Sequence, residues 1–380
     1  MQLFFKKARN PKKDVTDINM EAIVAAALAV DASDIHIVCG LAIRFRIHGE
    51  LRPYGEEILT HEDCERYAKE LAGESFDGLD AIGELDLAQT IAGTRVRINI
   101  YKQQGHVSSA IRLLSNKIPQ LEKLGLPAVV ETFADFRRGI VLVTGETGSG
   151  KSTTLAALLD KINRTRAEHI LTLEDPIEYI YTPNMSTINQ REIGKDTMSF
   201  PNGLRAALRE DPDVILIGEM RDLATIETAL TAAETGHLVF GTLHTNSAAD
   251  SIDRIVDVFP QERHRQIRMQ LSMTLQAVVS QQLLRNTSGT GRVLACEIMV
   301  VNAAIRNLIR EGKTPMIENA IATTANVGAI TMDNALLKLV KEKKITPAVA
   351  IENAHDPDYV KKGAAAGGAV PPSGFGNGLR

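Results

Sequence analysis

A glycine-rich octapeptide is the feature that most constrains how this chain can fold. Residues 145–152 read GETGSGKS, which matches the G-x-x-x-x-G-K-S/T pattern of a phosphate-binding loop. The apolar run Gly139–Thr144 precedes it as a predicted strand, and Ser152–Asn163 follows it as a predicted helix. A match of this length between a strand and a helix predicts a nucleoside triphosphate site in a parallel α/β domain.

Each residue type in this loop has a physical role. The glycines let backbone N–H groups turn toward a phosphate, and the helix directs its positive end at the same group. We expect Lys151 to reach the β- and γ-phosphates and the hydroxyl of Ser152 to hold Mg²⁺. No guanine-reading motif is evident, so the predicted ligands are ATP and Mg²⁺. The residues predicted to bind nucleotide here are Gly145, Glu146, Thr147, Gly148, Ser149, Gly150, Lys151, Ser152 and Thr153.

Two further apolar strands are followed by carboxylates. Residues 213–219 read DVILIGE, which is typical of a Walker B strand except that Gly218 replaces the usual aspartate before Glu219. Glu219 is therefore the candidate general base that polarises the attacking water. Residues 173–178 read LEDPIE, and we expect at least one of Glu174, Asp175 and Glu178 to serve the site, because parallel sheets bind ligands at the carboxyl ends of their strands. Glu174 is the candidate second ligand of Mg²⁺, with Ser152.

Two histidines flank a fourth predicted strand, His237 before it and His244 at its carboxyl end. His244 is placed to contact the γ-phosphate or the attacking water, and His237 is the weaker candidate for that role. Phosphoryl transfer also gains from an arginine at the γ-phosphate. Spacing does not choose among the candidate arginines, which include Arg95, Arg97, Arg112, Arg205, Arg209, Arg221 and Arg254.

The periodicity predicts two domains of different class. Residues 19–116 read as a small α+β domain whose antiparallel sheet carries basic residues on one face, since Arg44 and Arg46, like Arg95 and Arg97, fall at period two. Residues 129–362 show the strand–helix alternation of a parallel sheet.

The remaining segments are assigned by composition and periodicity. Gln261–Leu284 and Asn302–Ala354 are predicted to be mostly helical. Residues 1–18 are predicted to be a flexible tail, 117–128 a linker, and 363–380, rich in Gly, Ala and Pro, a disordered tail.

Composition argues against several classes of protein. The formal net charge of −4 gives no general attraction to nucleic acid. The three cysteines form no CxxC pair, so neither a zinc site nor a disulfide framework is predicted. No run approaches the roughly 18–20 apolar residues that span a bilayer, and the start lacks the order of a signal peptide, so we expect a cytoplasmic protein.

Together these motifs resemble those of the type IV pilus retraction ATPases, within the secretion ATPase superfamily. The resemblance covers about residues 19–355 and includes LREDPD at 208–213, GEMRD at 218–222 and GHLVFGTLHT at 236–245, in the family's order. AIRNLIRE at 304–311 is similar to the C-terminal motif that retraction motors need for retraction but not for hydrolysis. By periodicity alone it is a short amphipathic helix with Ile305, Leu308 and Ile309 inside and Arg306 outside.

The resemblance implies a PAS-like N-terminal domain and a RecA-like ATPase domain, assembled as a homohexamer with nucleotide between the two domains. Its implied partners are an inner-membrane pilus platform protein and a paralogous retraction ATPase, with the motor bound peripherally at the inner face of the membrane. Glu146 stands where the family often has Pro, at a position that contributes backbone. The active-site residues that it implies are Glu219 as catalytic glutamate, Glu178 in an acidic box, His237 and His244 as a histidine pair, and Arg97 and Arg112 as N-terminal arginines that reach the nucleotide.

Two alternative functions remain open. A pilus extension or type II secretion ATPase shares these motifs, but such motors commonly carry a four-cysteine zinc element and a longer N-terminal region. An auxiliary nucleotide-dependent adaptor would bind partners and hydrolyse little, and the presence of Lys151 and Glu219 argues against it.

Overall fold

The chain folds into two units, each with its own hydrophobic core. The computed structural model describes residues 18–47, 49–114, 117–289 and 291–367. One unit contains the described residues up to Lys117 together with Glu178–Ile180, and the other contains Ile118–Ile177 and the described residues from Tyr181 onward. Of the predicted tail at 1–18, all but Ile18 lies outside the described residues.

The first unit is an antiparallel sheet packed against helices. Alternation along its longest strand sends Val96, Ile98 and Ile100 into the core, where none of them is exposed. The strands are ordered β3-β2-β1-β6-β5-β4, and each neighbouring pair is antiparallel. The elements are α1 (Met20–Ala29), β1 (Ala32–Ile37), β2 (Arg44–Ile47), β3 (Glu50–Pro53), α2 (His61–Ala72), α3 (Leu79–Ile82), β4 (Glu84–Ile91), β5 (Thr94–Gln103) and β6 (His106–Leu113).

The predicted basic face of this sheet is confirmed by the strand register. Arg46, Asp34, Arg112 and Arg97 are cross-strand neighbours in one row across β2, β1, β6 and β5. Arg112 Nε donates to Asp34 Oδ1 at 3.0 Å. Burial raises the pKa of Asp34, but hydrogen bonds from Ser33 and Arg112 outweigh it and hold the pKa below its usual value. In this row Asp34 lies between Arg46 and Arg112, whereas Arg112 and Arg97 are direct neighbours.

The second unit is a mostly parallel sheet, as the alternating pattern predicted. Its order is β13-β12-β7-β11-β10-β8-β9, and all neighbouring pairs are parallel except β12 with β13. The strands are β7 (Gly139–Thr144), β8 (His169–Glu174), β9 (Thr187–Glu192), β10 (Val214–Ile217), β11 (Leu238–Leu243), β12 (Leu275–Arg285) and β13 (Arg292–Val300). The helices are α4 (Lys151–Thr165), α5 (Phe200–Ala207), α6 (Leu223–Glu234), α7 (Ala248–Asp257), α8 (His264–Thr274), α9 (Ala303–Glu311), α10 (Ile317–Ala322), α11 (Met332–Lys341), α12 (Pro347–Glu352) and α13 (Pro357–Ala365).

One prediction about secondary structure is wrong. The segment Gln261–Leu284, predicted to be mostly helical, forms α8 only as far as Thr274 and then enters β12. β12 pairs with β7 on one side and with β13 on the other. Its buried residues therefore gain packing and ladder hydrogen bonds on both sides, which overrides a weak local helix preference.

The segments predicted as linker and C-terminal tail are partly folded. Within 118–128, Leu121 is buried and begins a short 3₁₀ turn, and Lys161 of α4 lies 3.5 Å from Glu122. Residues 363–365 complete α13, in which Gly363 is buried, while 368–380 lie outside the described residues. Composition alone does not reveal these packing contacts. Within the described ranges, helices long and apolar enough to cross a bilayer are absent.

Candidate active site

The glycine-rich loop begins where a fully buried strand ends. All six residues of β7 are buried, and α4 starts at Lys151 directly after the loop. Gly148 and Gly150 have φ of 82° and 96°, a region that favours glycine, and Gly150 is the N-cap of α4. This is the strand–loop–helix geometry that aims backbone N–H groups and a helix N-terminus at a phosphate.

Backbone carbonyls hold the lysine of the loop. Lys151 Nζ donates to the carbonyl oxygens of Gly145 at 2.7 Å and Glu146 at 2.9 Å. Glu146 is exposed and also accepts from the N–H of Ser149 at 3.2 Å. Glu146 thus contributes its backbone to the loop, as predicted for this position.

Gly218 allows β10 to lie close to β8 just before the candidate base. Its N–H donates to the carbonyl of Leu173 at 2.8 Å. A Cβ at this position would lie 3.1 Å from the Leu173 carbonyl oxygen and 3.3 Å from Cα of Glu174. This close approach is a physical reason for glycine where a Walker B strand usually has aspartate.

Glu219 is held by two nitrogen-bearing side chains. His244 Nε2 lies 2.8 Å from Glu219 Oε1, and Arg221 Nε contacts the same oxygen. Glu219 is half-buried, whereas His244 and Arg221 are exposed. The contact between His244 and Glu219 joins the carboxyl ends of β11 and β10. Among the candidate arginines, Arg221 is the one that contacts the candidate base.

The second acidic strand end lies next to this pair in the sheet. Glu174 is the last residue of β8, whose register matches that of β10. Its Oε1 accepts from Thr172 Oγ1 at 2.7 Å and from Gln190 Nε2 at 3.2 Å. Hydroxyl and carboxylate oxygens are ligands that suit Mg²⁺, so Ser152 and Glu174 have the donor chemistry that the prediction requires. Their role as Mg²⁺ ligands stays a prediction.

Comparisons of the sequence and of the structure identify relatives that are ATPases. The model of the family described as Type II/IV secretion system protein matches residues 90–290. The chain is 44% identical over 343 residues to the type IV pilus retraction ATPase PilT of Pseudomonas aeruginosa, which covers 90% of this chain and 99% of that protein. The chain belongs to the type II/IV secretion system protein family. Within this family it groups with the pilus retraction ATPases.

The chain is also similar to other proteins, among them two ATPases of known structure. The chain is 50% identical over 262 residues to a twitching motility protein of Neisseria gonorrhoeae, covering 69% of this chain and 70% of that one. A crystal structure of the pilus retraction motor PilT with bound ADP has a TM-score of 0.84 at 45% identity, with 90% and 98% of the two chains covered. The ATPase DotB of Legionella pneumophila has a TM-score of 0.75 at 27% identity, with 90% and 96% covered.

The structure does not bring every predicted residue to this edge. His237 precedes β11, at the opposite end of that strand from His244, and its Nδ1 lies 2.9 Å from the carbonyl of Ala232. His244 follows His237 by seven residues, so at ~3.3 Å per residue their backbones lie about 23 Å apart along the strand. The prediction that His237 binds nucleotide stays a prediction.

Three other predicted residues belong to the first unit. Glu178 is exposed and is grouped with that unit rather than with the ATPase sheet. Arg97 and Arg112 are exposed cross-strand neighbours on β5 and β6. Their roles at the nucleotide stay predictions.

Sequence reasoning missed the residues that brace the loop from β12. Thr144 Oγ1 lies 2.9 Å from Ser280 Oγ, and Gln281 Nε2 donates to Thr154 Oγ1 of α4 at 2.8 Å. All four side chains are buried. Because this segment was predicted to be helical, no signal in the sequence pointed to it.

The close approach at Gly218 can be tested with alanine. Gly218→Ala forces β8 and β10 apart at their carboxyl ends, so we expect a loss of about 1–3 kcal/mol of stability and lower ATP turnover. Thermal melting and steady-state ATPase rates measure the two effects. Gly78→Ala is the control, because its Cβ would meet only Leu85 Cδ2 at 3.7 Å. Equal stability and turnover in Gly218→Ala would contradict this account.

The base assignment can be tested with an isosteric amide. Glu219→Gln keeps the size of the side chain but cannot accept a proton, so we expect ATP binding to persist while kcat falls by about 10²–10⁴-fold. Nucleotide titration and phosphate release measure these two properties. Glu352→Gln, at an exposed position of α12, is the control. A wild-type kcat in Glu219→Gln would remove Glu219 from the role of base.

Proposed function

We propose that this protein is an ATP-hydrolysing motor that drives retraction of type IV pili. The observation that carries the proposal is the Glu219–His244 pair beside a complete phosphate-binding loop, in a chain 44% identical to PilT along 99% of PilT's length. A chain that only binds nucleotide has no need for a carboxylate held in this way. The hydrolytic groups therefore favour a motor over an adaptor.

ATP binding uses the loop and the start of α4. Backbone N–H groups of residues 146–151 and the positive end of α4 surround the β-phosphate. Phosphate oxygens are stronger acceptors than neutral carbonyls, so Lys151 exchanges its contacts with Gly145 and Glu146 for contacts with the phosphates. Ser152 and Glu174 would hold Mg²⁺, which would neutralise charge on the transferred phosphoryl group.

Glu219 acts as general base for the attacking water. His244 and Arg221 both contact its Oε1, which fixes the orientation of the carboxylate. Transfer of Arg221 from Glu219 to the developing negative charge on the phosphate would stabilise the transition state and free Glu219 Oε1 for the water. One arginine would then serve both the resting carboxylate and the transition state.

Assembly supplies the rest of the motor. We infer a homohexamer in which Arg97, Arg112 and Glu178 complete the nucleotide site. The partners are an inner-membrane platform protein and a paralogous ATPase. Consistent with such a paralogue, the chain is 34% identical to the type IV pilus ATPase PilU of Pseudomonas aeruginosa, covering 89% of each. The motor acts at the inner face of the cell membrane.

Deletion of the gene in its native host tests the direction of the motor. Loss of a retraction motor leaves pili extended, so we expect excess surface pili and loss of twitching. Electron microscopy and a twitching assay measure these outcomes, with wild-type and Glu219→Gln complementation as positive and negative controls. Cells without pili would instead identify an extension motor.

In the AIRNLIRE helix, α9, the side chain of Arg306 turns toward α8. Arg306 was predicted to face outside, but its guanidinium donates to the carbonyls of Ser272 at 2.6 Å and Met273 at 3.1 Å, near the end of α8. Its removal would disturb the fold. Arg310 is exposed on the same helix and is the better probe of partner contact.

We expect Arg310→Glu to hydrolyse ATP at the wild-type rate and to fail in retraction, because it reverses charge only on the exposed face of α9. ATPase assays and twitching zones measure the two activities. Lys361→Glu, an exposed charge reversal on α13, is the matched control and should retract normally. Normal twitching by Arg310→Glu would show that this face of α9 makes no contact needed for retraction.

A further inference from the structure

A carboxylate outside the proposed catalytic edge is almost completely buried. Glu297 lies on β13 and is 2% exposed. Its Oε1 accepts from the N–H of Ala248 at 2.7 Å, and its carboxylate also accepts from the N–H of Met332. A buried ionisable group is costly unless hydrogen bonds satisfy it, so these two contacts explain how Glu297 is accommodated.

Both donors are the first residues of helices. Ala248 begins α7 and Met332 begins α11, each ten residues long. The first N–H groups of a helix have no partner within it, and the helix dipole favours negative charge at that end. Glu297 therefore ties β13 to the start of two helices with one side chain.

One of these helices follows the histidine of the proposed catalytic pair. His244 comes just after β11, and only Thr245, Asn246 and Ser247 separate it from Ala248. This short segment is held to α7 by side-chain contacts, because Thr245 Oγ1 lies 2.6 Å from Ser251 Oγ, which donates to the carbonyl of Ser247 at 2.6 Å. A shift at the start of α7 therefore reaches His244.

The strand register places Glu297 level with the phosphate-binding loop. Glu297 pairs with Ser280 on β12, Ser280 pairs with Thr144 on β7, and Thr144 pairs with Leu243 on β11. Thr144 directly precedes the loop and Leu243 directly precedes His244. One row of the sheet thus contains Glu297 and the two residues from which the loop and His244 extend.

We propose that Glu297 is a positioning residue for hydrolysis, whose buried carboxylate fixes the start of α7 and thereby the place of His244 beside Glu219. This inference rests on the proposed ATPase function. It assigns Glu297 no contact with nucleotide or water.

Titratable groups surround Glu297 from several elements. A cavity of about 250 Å³ borders it and is also lined by Asp250 of α7, Glu318 of α10 and His355 after α12. Asp333 of α11 instead accepts from the N–H groups of His355 at 2.8 Å and Asp356 at 2.9 Å. Ser280, opposite on β12, is uncharged.

Burial raises the pKa of Glu297 to about 6. The hydrogen bond from Ala248 and the charge of His355 oppose this rise, and the negative charge of Glu318 adds to it. Above that pH the ionised carboxylate accepts from both helix starts. Protonation gives one oxygen a hydrogen that points at an N–H group or into the cavity, so the anchor weakens as pH falls through about 6. Turnover should fall in the same window.

Acid unfolding driven by Glu297 cannot account for this fall in ATP turnover. Its pKa in the folded state lies above the ordinary value of 4.5. The folded protein therefore binds the proton more tightly than the unfolded chain, so Glu297 makes the fold more stable, not less, as pH falls from about 6 toward 4.5.

The test is the pH dependence of kcat and KM for ATP in the full-length protein and in Glu297→Gln. The amide carries no charge and presents an N–H₂ group where a carboxylate oxygen accepted. We expect kcat at neutral pH to fall on the order of ten- to a hundredfold, with KM for ATP little changed and the acid limb near pH 6 absent. Wild-type kcat with the acid limb intact would overturn the proposal.

Two further variants keep the proposal falsifiable if Glu297→Gln fails to fold. Glu318→Gln removes the neighbouring negative charge, so Glu297 should ionise more easily and the acid limb should move to lower pH at unchanged neutral kcat. An acid limb that stays in place would overturn the proposal. Glu297→Asp keeps the charge but is one methylene shorter, so it should retain an acid limb at reduced kcat.

The wild type separates this inference from the proposed function. A wild-type protein that does not hydrolyse ATP contradicts the proposed function itself. Hydrolysis by the wild type together with unaltered Glu297→Gln and Glu318→Gln profiles contradicts only the role of Glu297.

Discussion

The ATPase sheet depends on how closely β12 approaches β7. At Gly139, which begins β7, a Cβ would lie 2.5 Å from the carbonyl oxygen of Thr274, and at Gly145 it would meet that of Gln281. Both glycines have positive φ, 103° and 134°. Side chains at either position would push the two strands apart. The strand that leads into the phosphate-binding loop thus has a glycine at its start and another directly after its end. The position of the loop therefore depends on the close packing of β7 against the β12 segment.

The sequence predicted the strands that are followed by candidate site residues, but it did not predict β12, the strand that packs beside β7. β7, β8, β10 and β11 are short apolar runs followed by recognisable polar residues, so periodicity and motif agreed. β12 reads LQAVVSQQLLR, in which leucine, alanine and glutamine favour a helix and no motif marks the end. Pairing with β7 and β13 decides its structure, and a strand specified by partners distant in sequence leaves little local signal.

At the candidate site, residue types could be predicted but partners could not. Glu219 and His244 follow from their places at strand ends, whereas the contact of Arg221 with Glu219 depends on the turn after β10. In the sequence Gly218 is a departure from the Walker B pattern, and the backbone of β8 beside it gives the physical reason for this glycine. Arg306 shows the same limit, because helical periodicity puts it outside and only α8 explains why it turns inward.

Three glutamates show how environment divides roles among identical groups. Glu219 is half-buried at a strand end beside His244 and Arg221, which suits a group that exchanges a proton with water. Glu174 accepts from a hydroxyl and an amide at the same edge, which suits a cation ligand. Glu297 is buried and accepts from backbone N–H groups of two helices, so its carboxylate serves to anchor the starts of those helices. A carboxylate so enclosed exchanges protons poorly with substrate, and its effect on hydrolysis has to pass through the position of α7.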